Sequence, residues 1–266
     1  MKLNIVPART GILWVKLGIQ TFLRQPLALA GLFFMFFMVF ILLSAVPTIG
    51  PLLAMVLMPA ATLGMMAASR QASEGRFPMP SVLLSAFQAG QLRGRAMLVL
   101  GTIYAAALLV LFFSVAPFMG PDAADPQGGT VDAALGRLST GVFVYALLQL
   151  PLAVLFAHAP ALVHWHGLGP AKSLFFSAVA FWRNLGAFAV FGVTWFVFLM
   201  GVSLALNLVL MLFGTVPTLE AMIPVCLLVM SIMSTSMYFT FRDIFVATPE
   251  EAPDLPASTP PHGEDP

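Results

Sequence analysis

Residues 26–46 read PLALAGLFFMFFMVFILLSAV and contain no charged side chain. A helix needs about 20 mainly apolar residues to cross a hydrocarbon core of about 30 Å, so this run is long enough to cross a bilayer once. Of all 266 residues, 60% are hydrophobic and only 9% are charged, against roughly 25% charged in a soluble domain. Because so few polar side chains cannot cover a water-exposed surface, the sequence predicts an integral membrane protein.

Further apolar runs of similar length follow along the chain, and together they predict an all-α, polytopic membrane protein with six transmembrane helices. The predicted spans are about 26–46, 51–69, 96–118, 140–163, 185–213 and 220–241. The first run is longer than the apolar core of about 7 to 15 residues in a signal peptide, so we expect it to be retained as a span. Residues 248–266 are rich in proline and acidic residues, which predicts a disordered cytoplasmic tail.

The basic residues are distributed unevenly between the spans. Eleven of the 12 Lys and Arg residues fall in segments that six spans place on one side, and the other side receives Arg137 with Asp122, Asp125 and Asp132. Since short cytoplasmic segments carry an excess of Lys and Arg, both termini are predicted to be cytoplasmic.

An amphipathic cytoplasmic stretch precedes each odd-numbered span, which predicts interfacial helices before spans 1, 3 and 5. The stretches are residues 9–24, 80–95 and 170–184. One interpretation is a threefold repeat of interfacial helix and helical hairpin; the other is that membrane interfaces attract aromatic and basic residues anyway. The residues predicted to contact anionic lipid headgroups are Lys16, Arg24, Arg93 and Arg95.

Small residues recur at intervals of four within three spans, a spacing that lets membrane helices approach closely. The predicted packing seams are Ala60, Gly64 and Ala68; Gly101 and Ala105; and Gly201 and Ala205.

Polar residues inside the spans are candidate functional groups, because an ionisable side chain in a membrane is costly to keep. His158, Gln149 and Asn207 could line a polar path. Alternatively, Gln149 and Asn207, like Thr194, could form hydrogen bonds between helices. His164 and His166 flank Trp165, and this run could open into a cytoplasmic vestibule or be an interfacial Trp anchor beside hydrated histidines.

Arg242 and Asp243 end the sixth span next to a run of aromatic residues. Neighbours in sequence point apart on a helix, so we expect this pair to bond to other segments, with Glu74 or Arg183 as partners, and to act as a structural clamp.

Several classes of chemistry lack their sequence signals. Cys226 is the single cysteine, which excludes an intrachain disulfide and a cysteine-based zinc site. No nucleophile elbow, phosphate loop, His-Glu-x-x-His motif or paired carboxylate set occurs, so we expect no enzymatic activity, cofactor or metal. The formal net charge of +1 gives no reason to expect a nucleic-acid partner.

Several short motifs carry a resemblance to a known family. They are GILW at 11–14, FLRQP at 22–26, APAL at 159–162, WHG at 165–167, KSLFFS at 172–177, WRN at 182–184 and YFTFRD at 238–243. Over about residues 8–245 the chain resembles an uncharacterised family of multi-pass inner-membrane proteins of Gram-negative bacteria. It is also distantly similar to the membrane domain that precedes some glycerophosphodiester phosphodiesterases, without a counterpart of their soluble catalytic domain. The resemblance implies an inner-membrane location and supplies neither an activity nor a site.

The sequence therefore favours a non-enzymatic inner-membrane component that binds anionic lipid headgroups or a membrane-protein partner, or that forms a homo-oligomer. The alternative is a small-molecule or metal transporter with a polar path near His158.

Overall fold

A computed structural model of the chain describes residues 2–116, 140–214 and 219–246. The predicted disordered tail at 248–266 and the acidic loop that contains Asp122, Asp125, Asp132 and Arg137 lie outside the described residues.

The described residues form a helical bundle with one short pair of strands, which confirms the predicted all-α class. In chain order the elements are β1 (Lys2–Leu3), α1 (Thr10–Arg24), α2 (Pro26–Ser44), α3 (Ile49–Ser73), a 3₁₀ turn (Pro80–Leu84), α4 (Ser85–Gln88), α5 (Gln91–Val115), α6 (Thr140–Ala157), α7 (Ala159–His166), α8 (Pro170–Arg183), α9 (Leu185–Leu212), α10 (Leu219–Ile244) and β2 (Phe245–Val246).

Six helical stretches are long and apolar enough to cross a membrane, as the sequence predicts. They are Pro26–Ser44, Ile49–Ser73, Gln91–Val115, Phe143–His166, Leu185–Leu212 and Met222–Ile244. The fourth is divided into α6 and α7, whereas the sequence predicts one continuous helix. Pro160 explains this division because proline lacks a backbone N–H and its ring clashes with the carbonyl four residues earlier.

The two ends of the described chain meet at one end of the bundle. Strands β1 and β2 pair antiparallel, with Lys2 opposite Val246 and Leu3 opposite Phe245. The backbone N–H of Asn4 also donates to the carbonyl oxygen of Ile244 at 2.8 Å. An even number of spans requires both ends of the chain to lie on the same side, which agrees with this pairing. We call this end of the bundle the terminal end.

Helix α1 packs closely on α9 and α10. A Cβ at Gly11 would lie 2.3 Å from the carbonyl oxygen of Ala187, and one at Gly18 would lie 2.5 Å from the Cβ of Ser236. Trp14 is fully buried in this contact. The inner side of α1 therefore meets protein, whereas Lys16, Gln20 and Arg24 are exposed.

The predicted interfacial helix at 80–95 is wrong. Residues 80–88 form the 3₁₀ turn and α4, Gly90 has a φ of +97°, and α5 begins at Gln91. A residue with a positive φ cannot continue a right-handed helix, and glycine adopts such a φ without strain. The third span therefore begins at Gln91 rather than near residue 96.

The 80–88 segment, as we call the 3₁₀ turn with α4, folds inward onto α3. A Cβ at Gly64 would lie 2.8 Å from the Cα of Leu83, so the two backbones are in close contact. Gly64 precedes the end of α3 by about 14 Å along the helix axis. A helix of 14 or 15 residues therefore precedes the span in two of the predicted repeats, α1–α2 and α8–α9, whereas the 3₁₀ turn and α4 precede α5 in the middle one.

Two of the three predicted packing seams are buried. Ala60, Gly64 and Ala68 face neighbouring elements, and a Cβ at Gly101 would lie only 1.9 Å from the carbonyl oxygen of Val56. The third seam is wrong: Gly201 and Ala205 are exposed, and nothing lies within 4 Å of a Cβ built at Gly201.

Candidate functional site

A cleft of about 470 Å³ opens between the end of α3, the 80–88 segment and the end of α7. We call it the arginine cleft. Its polar and aromatic lining consists of Arg70, Gln71, Arg76, Ser81, Ser85, Gln88, His164 and Trp165. These residues come from distant parts of the chain, and the inward fold of the 80–88 segment completes the wall.

Arg70 and Arg76 are held in place by one carboxylate and one aromatic ring. The Nε of Arg70 donates to Oε1 of Glu74 at 3.1 Å, and Nη2 of Arg76 donates to Oε2 of the same side chain. The guanidinium carbon of Arg70 also lies 5.9 Å from the centre of the Trp165 ring, within cation–π range. Two cations face one anion, so these three side chains carry a net positive charge.

The carboxylate of Glu74 lies outside the spans and stays ionised readily. Partial burial opposes its charge, but hydrogen bonds from Arg76 and Arg70 and their positive charges outweigh burial and lower its pKa below the ordinary value. Each guanidinium has five N–H donors, so its bond to Glu74 leaves donors for a second anion.

His164 forms the opposite wall of the cleft, and Arg93 bonds to its backbone from outside the lining. The Nη1 of Arg93 donates to the backbone carbonyl of His164 at 3.0 Å. This carbonyl lies in the last turn of α7, where helix carbonyls lack partners and a cation is favourable. The Nδ1 of His164 and the Oγ of Ser85 are buried without a hydrogen-bond partner among the described residues.

Trp165 is a wall of this cleft rather than a simple interfacial anchor. Its ring centre lies 4.9 Å from that of Phe241 and 6.2 Å from that of Tyr238, both on α10. His166 is half-buried, with its ring centre 5.9 Å from that of Phe241. His164 thus lines a recess of the protein, and the vestibule and the interfacial anchor both stay predictions.

His158 lies in the protein interior, between α6 and α7. Its side chain is 1% exposed and is surrounded by the rings of Phe188, Phe241 and Phe245. The Oγ1 of Thr240 lies 3.0 Å from its Nε2 and donates its own proton to the carbonyl of Met237. The hydroxyl oxygen therefore accepts from Nε2–H, which leaves Nδ1 as the unprotonated nitrogen.

Ser177 of α8 bonds to the two backbone groups that lose each other as partners where the fourth span is interrupted at His158. The backbone N–H of His158 donates to Ser177 Oγ at 3.3 Å, and this hydroxyl donates to the carbonyl of Val154 at 2.9 Å. In a continuous helix that N–H would bond directly to that carbonyl. The hydroxyl thus satisfies both groups in the bundle interior, which gives this region a structural role.

The three polar residues predicted to line one path do not meet. Gln149 donates to the hydroxyl of Tyr145 at 3.1 Å, and Asn207 donates to the carbonyl of Ser203 at 2.9 Å. Both bonds lie within a single helix, so for Gln149 and Asn207 the alternative of hydrogen bonds between helices is wrong. Along their helices, Gln149 lies about 14 Å from His158, and Asn207 lies about 28 Å beyond the residue of α9 that contacts this histidine.

Asp243 connects α10 to α1, although not through the predicted partners. Its Oδ2 accepts from the indole Nε1 of Trp14 at 2.9 Å, and its Oδ1 accepts from Arg242 Nε at 2.8 Å. The prediction that Arg242 and Asp243 point apart is wrong, because the long arginine side chain folds back at the end of α10. Glu74 bonds to Arg70 and Arg76 instead.

Asn184 is a buried residue that the sequence analysis did not single out. Its Oδ1 accepts from the N–H of Val6 at 2.8 Å, and its Nδ2 donates to the carbonyl of Asn4 at 3.2 Å. It therefore fixes the amino-terminal segment across the start of α9. Only an amide at the junction of two predicted helices hinted at this role.

The remaining predicted residues lie outside the arginine cleft. Lys16, Arg24, Arg95 and Arg183 are exposed. From the sequence, Arg70 and Arg76 indicate only on which side of the membrane their loop lies. A signal was available, since Arg70 and Glu74 are spaced to pair on a helix and Arg76 follows in the turn.

A probable inner membrane protein of Burkholderia thailandensis is 34% identical to this chain over 274 residues, which cover 96% of this chain and 98% of that protein. The chain belongs to the same family of inner membrane proteins. Together with the six candidate spans, this relationship places the family member described here in the inner membrane as a multi-pass protein. No known protein-family model and no solved structure matches the chain.

Proposed function

We propose that this inner-membrane protein is a non-enzymatic membrane component that binds an anionic phospholipid headgroup in the arginine cleft. The observation that carries the proposal is that Arg70 and Arg76 line one cleft with a half-buried aromatic wall, Trp165. Guanidinium groups suit phosphate oxygens because their planar donors can form two parallel hydrogen bonds.

The cleft lies at the terminal end, which we propose to be cytoplasmic. Trp165 of the cleft packs on Phe241, four residues before β2. The excess of Lys and Arg in the loops of this end supports the orientation through the positive-inside rule. Anionic lipids of the cytoplasmic leaflet would meet the cleft there.

The expected affinity gain is moderate. A Lys or Arg near an anionic membrane surface contributes about 1 kcal/mol, so two arginines contribute roughly 30-fold in affinity. Glu74 competes for the same donors and reduces this gain.

Native mass spectrometry of the purified protein tests the proposal. The protein is exchanged into a detergent that contains equal amounts of phosphatidylglycerol and phosphatidylcholine, and the retained lipids are counted. We expect wild type to retain phosphatidylglycerol preferentially and Arg70→Gln with Arg76→Gln to lose this preference. Arg9→Gln with Lys172→Gln is the matched control, since those exposed cations lie outside the cleft and are not among the predicted headgroup contacts. Equal preference in all three proteins would contradict the proposal.

A reporter fusion tests the orientation separately. Alkaline phosphatase fused after Val246 should be inactive, because that enzyme needs the oxidising periplasm. Activity of this fusion would refute the cytoplasmic placement and leave the cleft itself untouched.

The transporter alternative gains no support from the described residues, since His158, Gln149 and Asn207 are separated along the bundle. Gln149 and Asn207 bond within their own helices, and His158 bonds to Thr240 of α10. The distant similarity to the membrane domain of glycerophosphodiester phosphodiesterases, and a protein partner or homo-oligomer, stay predictions from the sequence.

A further inference from the structure

A second cavity lies on the other side of the 80–88 segment. This apolar groove has a volume of about 310 Å³ and lies between α2, α3 and that segment. Its lining residues are all apolar and include Val39 of α2, Ala60 and Ala61 of α3, and Leu83 and Phe87 of the segment.

The 80–88 segment separates the two cavities with its two faces. Ser81, Val82, Ser85 and Gln88 line the arginine cleft. Pro80, Leu83, Leu84 and Phe87 line the apolar groove. This alternation follows the helical repeat, and Met79 of the cleft precedes Pro80 of the groove, so the two linings are adjacent at the start of the segment.

The distance between the cavities matches a phospholipid. Helix α3 lines both, with Arg70 in the cleft and Ala60 in the groove. These residues are ten positions apart, which corresponds to about 15 Å along the helix axis. One leaflet of a hydrocarbon core of about 30 Å has the same thickness. With α3 upright in a bilayer, a headgroup at Arg70 would therefore place Ala60 at the depth of an acyl chain.

We infer that one anionic phospholipid occupies both cavities, with its phosphate at Arg70 and Arg76 and one acyl chain in the apolar groove. This inference rests on the proposed headgroup site and adds that the protein also recognises the acyl chain of the lipid. The groove is accessible from the bilayer, because Val39 at its rim is 56% exposed. Gly64 permits the arrangement, since any larger residue would push the segment away from α3.

Two matched variants test the groove. Val39→Phe adds bulk at its rim, and Val193→Phe makes the same change at a position of α9 that is 62% exposed and lies outside the groove. Ala61→Phe is a second groove variant, to be used if Val39→Phe is poorly folded. The probes are long-chain phosphatidylglycerol, dihexanoyl phosphatidylglycerol and inorganic phosphate, each measured by native mass spectrometry of the full chain.

We expect Val39→Phe to retain less long-chain phosphatidylglycerol than wild type, by about fourfold for each methylene that no longer fits. Val193→Phe should behave as wild type, and Val39→Phe should bind the dihexanoyl lipid as well as wild type does. Equal retention of the long-chain lipid by both valine variants would overturn the inference.

The outcomes also separate the two proposals. If only the arginine double variant loses lipid, the headgroup site stands and the acyl-chain site is refuted. If neither the arginine nor the valine variants lose lipid, both are refuted. If inorganic phosphate displaces the long-chain lipid completely, the cleft is a site for a soluble phosphate and the groove adds nothing. If Val39→Phe changes the oligomeric state instead of the lipid count, the groove holds a second copy of the chain, and the inference fails.

Discussion

Gly101→Ala tests the contact between α3 and α5 on which the position of the arginine cleft depends. A Cβ at this position would lie 1.9 Å from the carbonyl oxygen of Val56 and 2.9 Å from its carbonyl carbon. Both are backbone atoms of the neighbouring span, so no side-chain rotation can relieve the clash. The two helices must separate, or one must shift along the other.

The cost follows from that distance. Ordinary van der Waals contacts begin near 3.4 Å, so the helices must move apart by roughly 1.5 Å at this point. Added methylenes in a packed interior cost about 1 to 3 kcal/mol. Alanine is favoured over glycine in a helix by up to about 1 kcal/mol, so we expect a net destabilisation of up to about 2 kcal/mol.

Gly201→Ala is the matched control, because it makes the same change in a membrane span where the structure places nothing within 4 Å. The sequence predicts equal behaviour, since both glycines begin a small-residue pair at the same spacing. The structure predicts that Gly201→Ala is neutral or slightly stabilising. Thermal unfolding of both variants in the same detergent measures the difference, which should be at least about 2 °C for a chain of this size.

Equal unfolding temperatures for the two variants would refute the reasoning, since that result would mean that α3 and α5 are not in backbone contact. A lower temperature for Gly201→Ala alone would show that α9 packs on a surface that the described bundle does not provide.

Three further results are expected. Trp14→Phe removes the indole donor to Asp243 and should lower the free energy of unfolding by about 1.5 to 3 kcal/mol, because the acceptor is charged. Trp182→Phe is the control and should change it little, since that side chain is 71% exposed. Equal effects of the two variants in chemical unfolding would contradict this role of Trp14. Thr240→Val leaves the buried Nε2–H of His158 without its acceptor and should cost about 1 to 3 kcal/mol in the same assay, and an unchanged stability would show that this bond is absent. Glu74→Gln frees both cleft arginines and should raise phosphatidylglycerol retention by roughly fivefold. Because the pKa of Glu74 lies below its ordinary value, wild type should gain retention only as the pH falls through that lowered pKa, and the same pH dependence in Glu74→Gln would refute the competition.

The class of protein and the number of spans could be predicted from the sequence because the bilayer acts on each segment separately. Residues 26–46 must lie in hydrocarbon whatever the rest of the chain does, since so long an apolar run has no other favourable solvent. The clustering of basic residues likewise follows from local sequence and predicts which loops share a side. These properties need no knowledge of neighbours in space.

The candidate site could not be predicted, because it depends on contacts between distant residues. Arg70 and His164 are far apart in the chain and line one cleft because α3 packs on α7, and the inward fold of the 80–88 segment against Gly64 adds the third wall. Trp14 and Asp243 are separated by nearly the whole sequence and are joined by the packing of α1 on α10.

Tertiary structure also decided which small residues are packing seams. Gly101 and Gly201 have the same local pattern, yet one is in backbone contact with α3 and the other is exposed. The physical reason is that lipid tails are as apolar as leucine, so burial against protein and burial in lipid demand the same composition. Sequence alone determined that these helices enter the membrane; the fit of one helix surface to another decided which faces meet protein and which meet lipid.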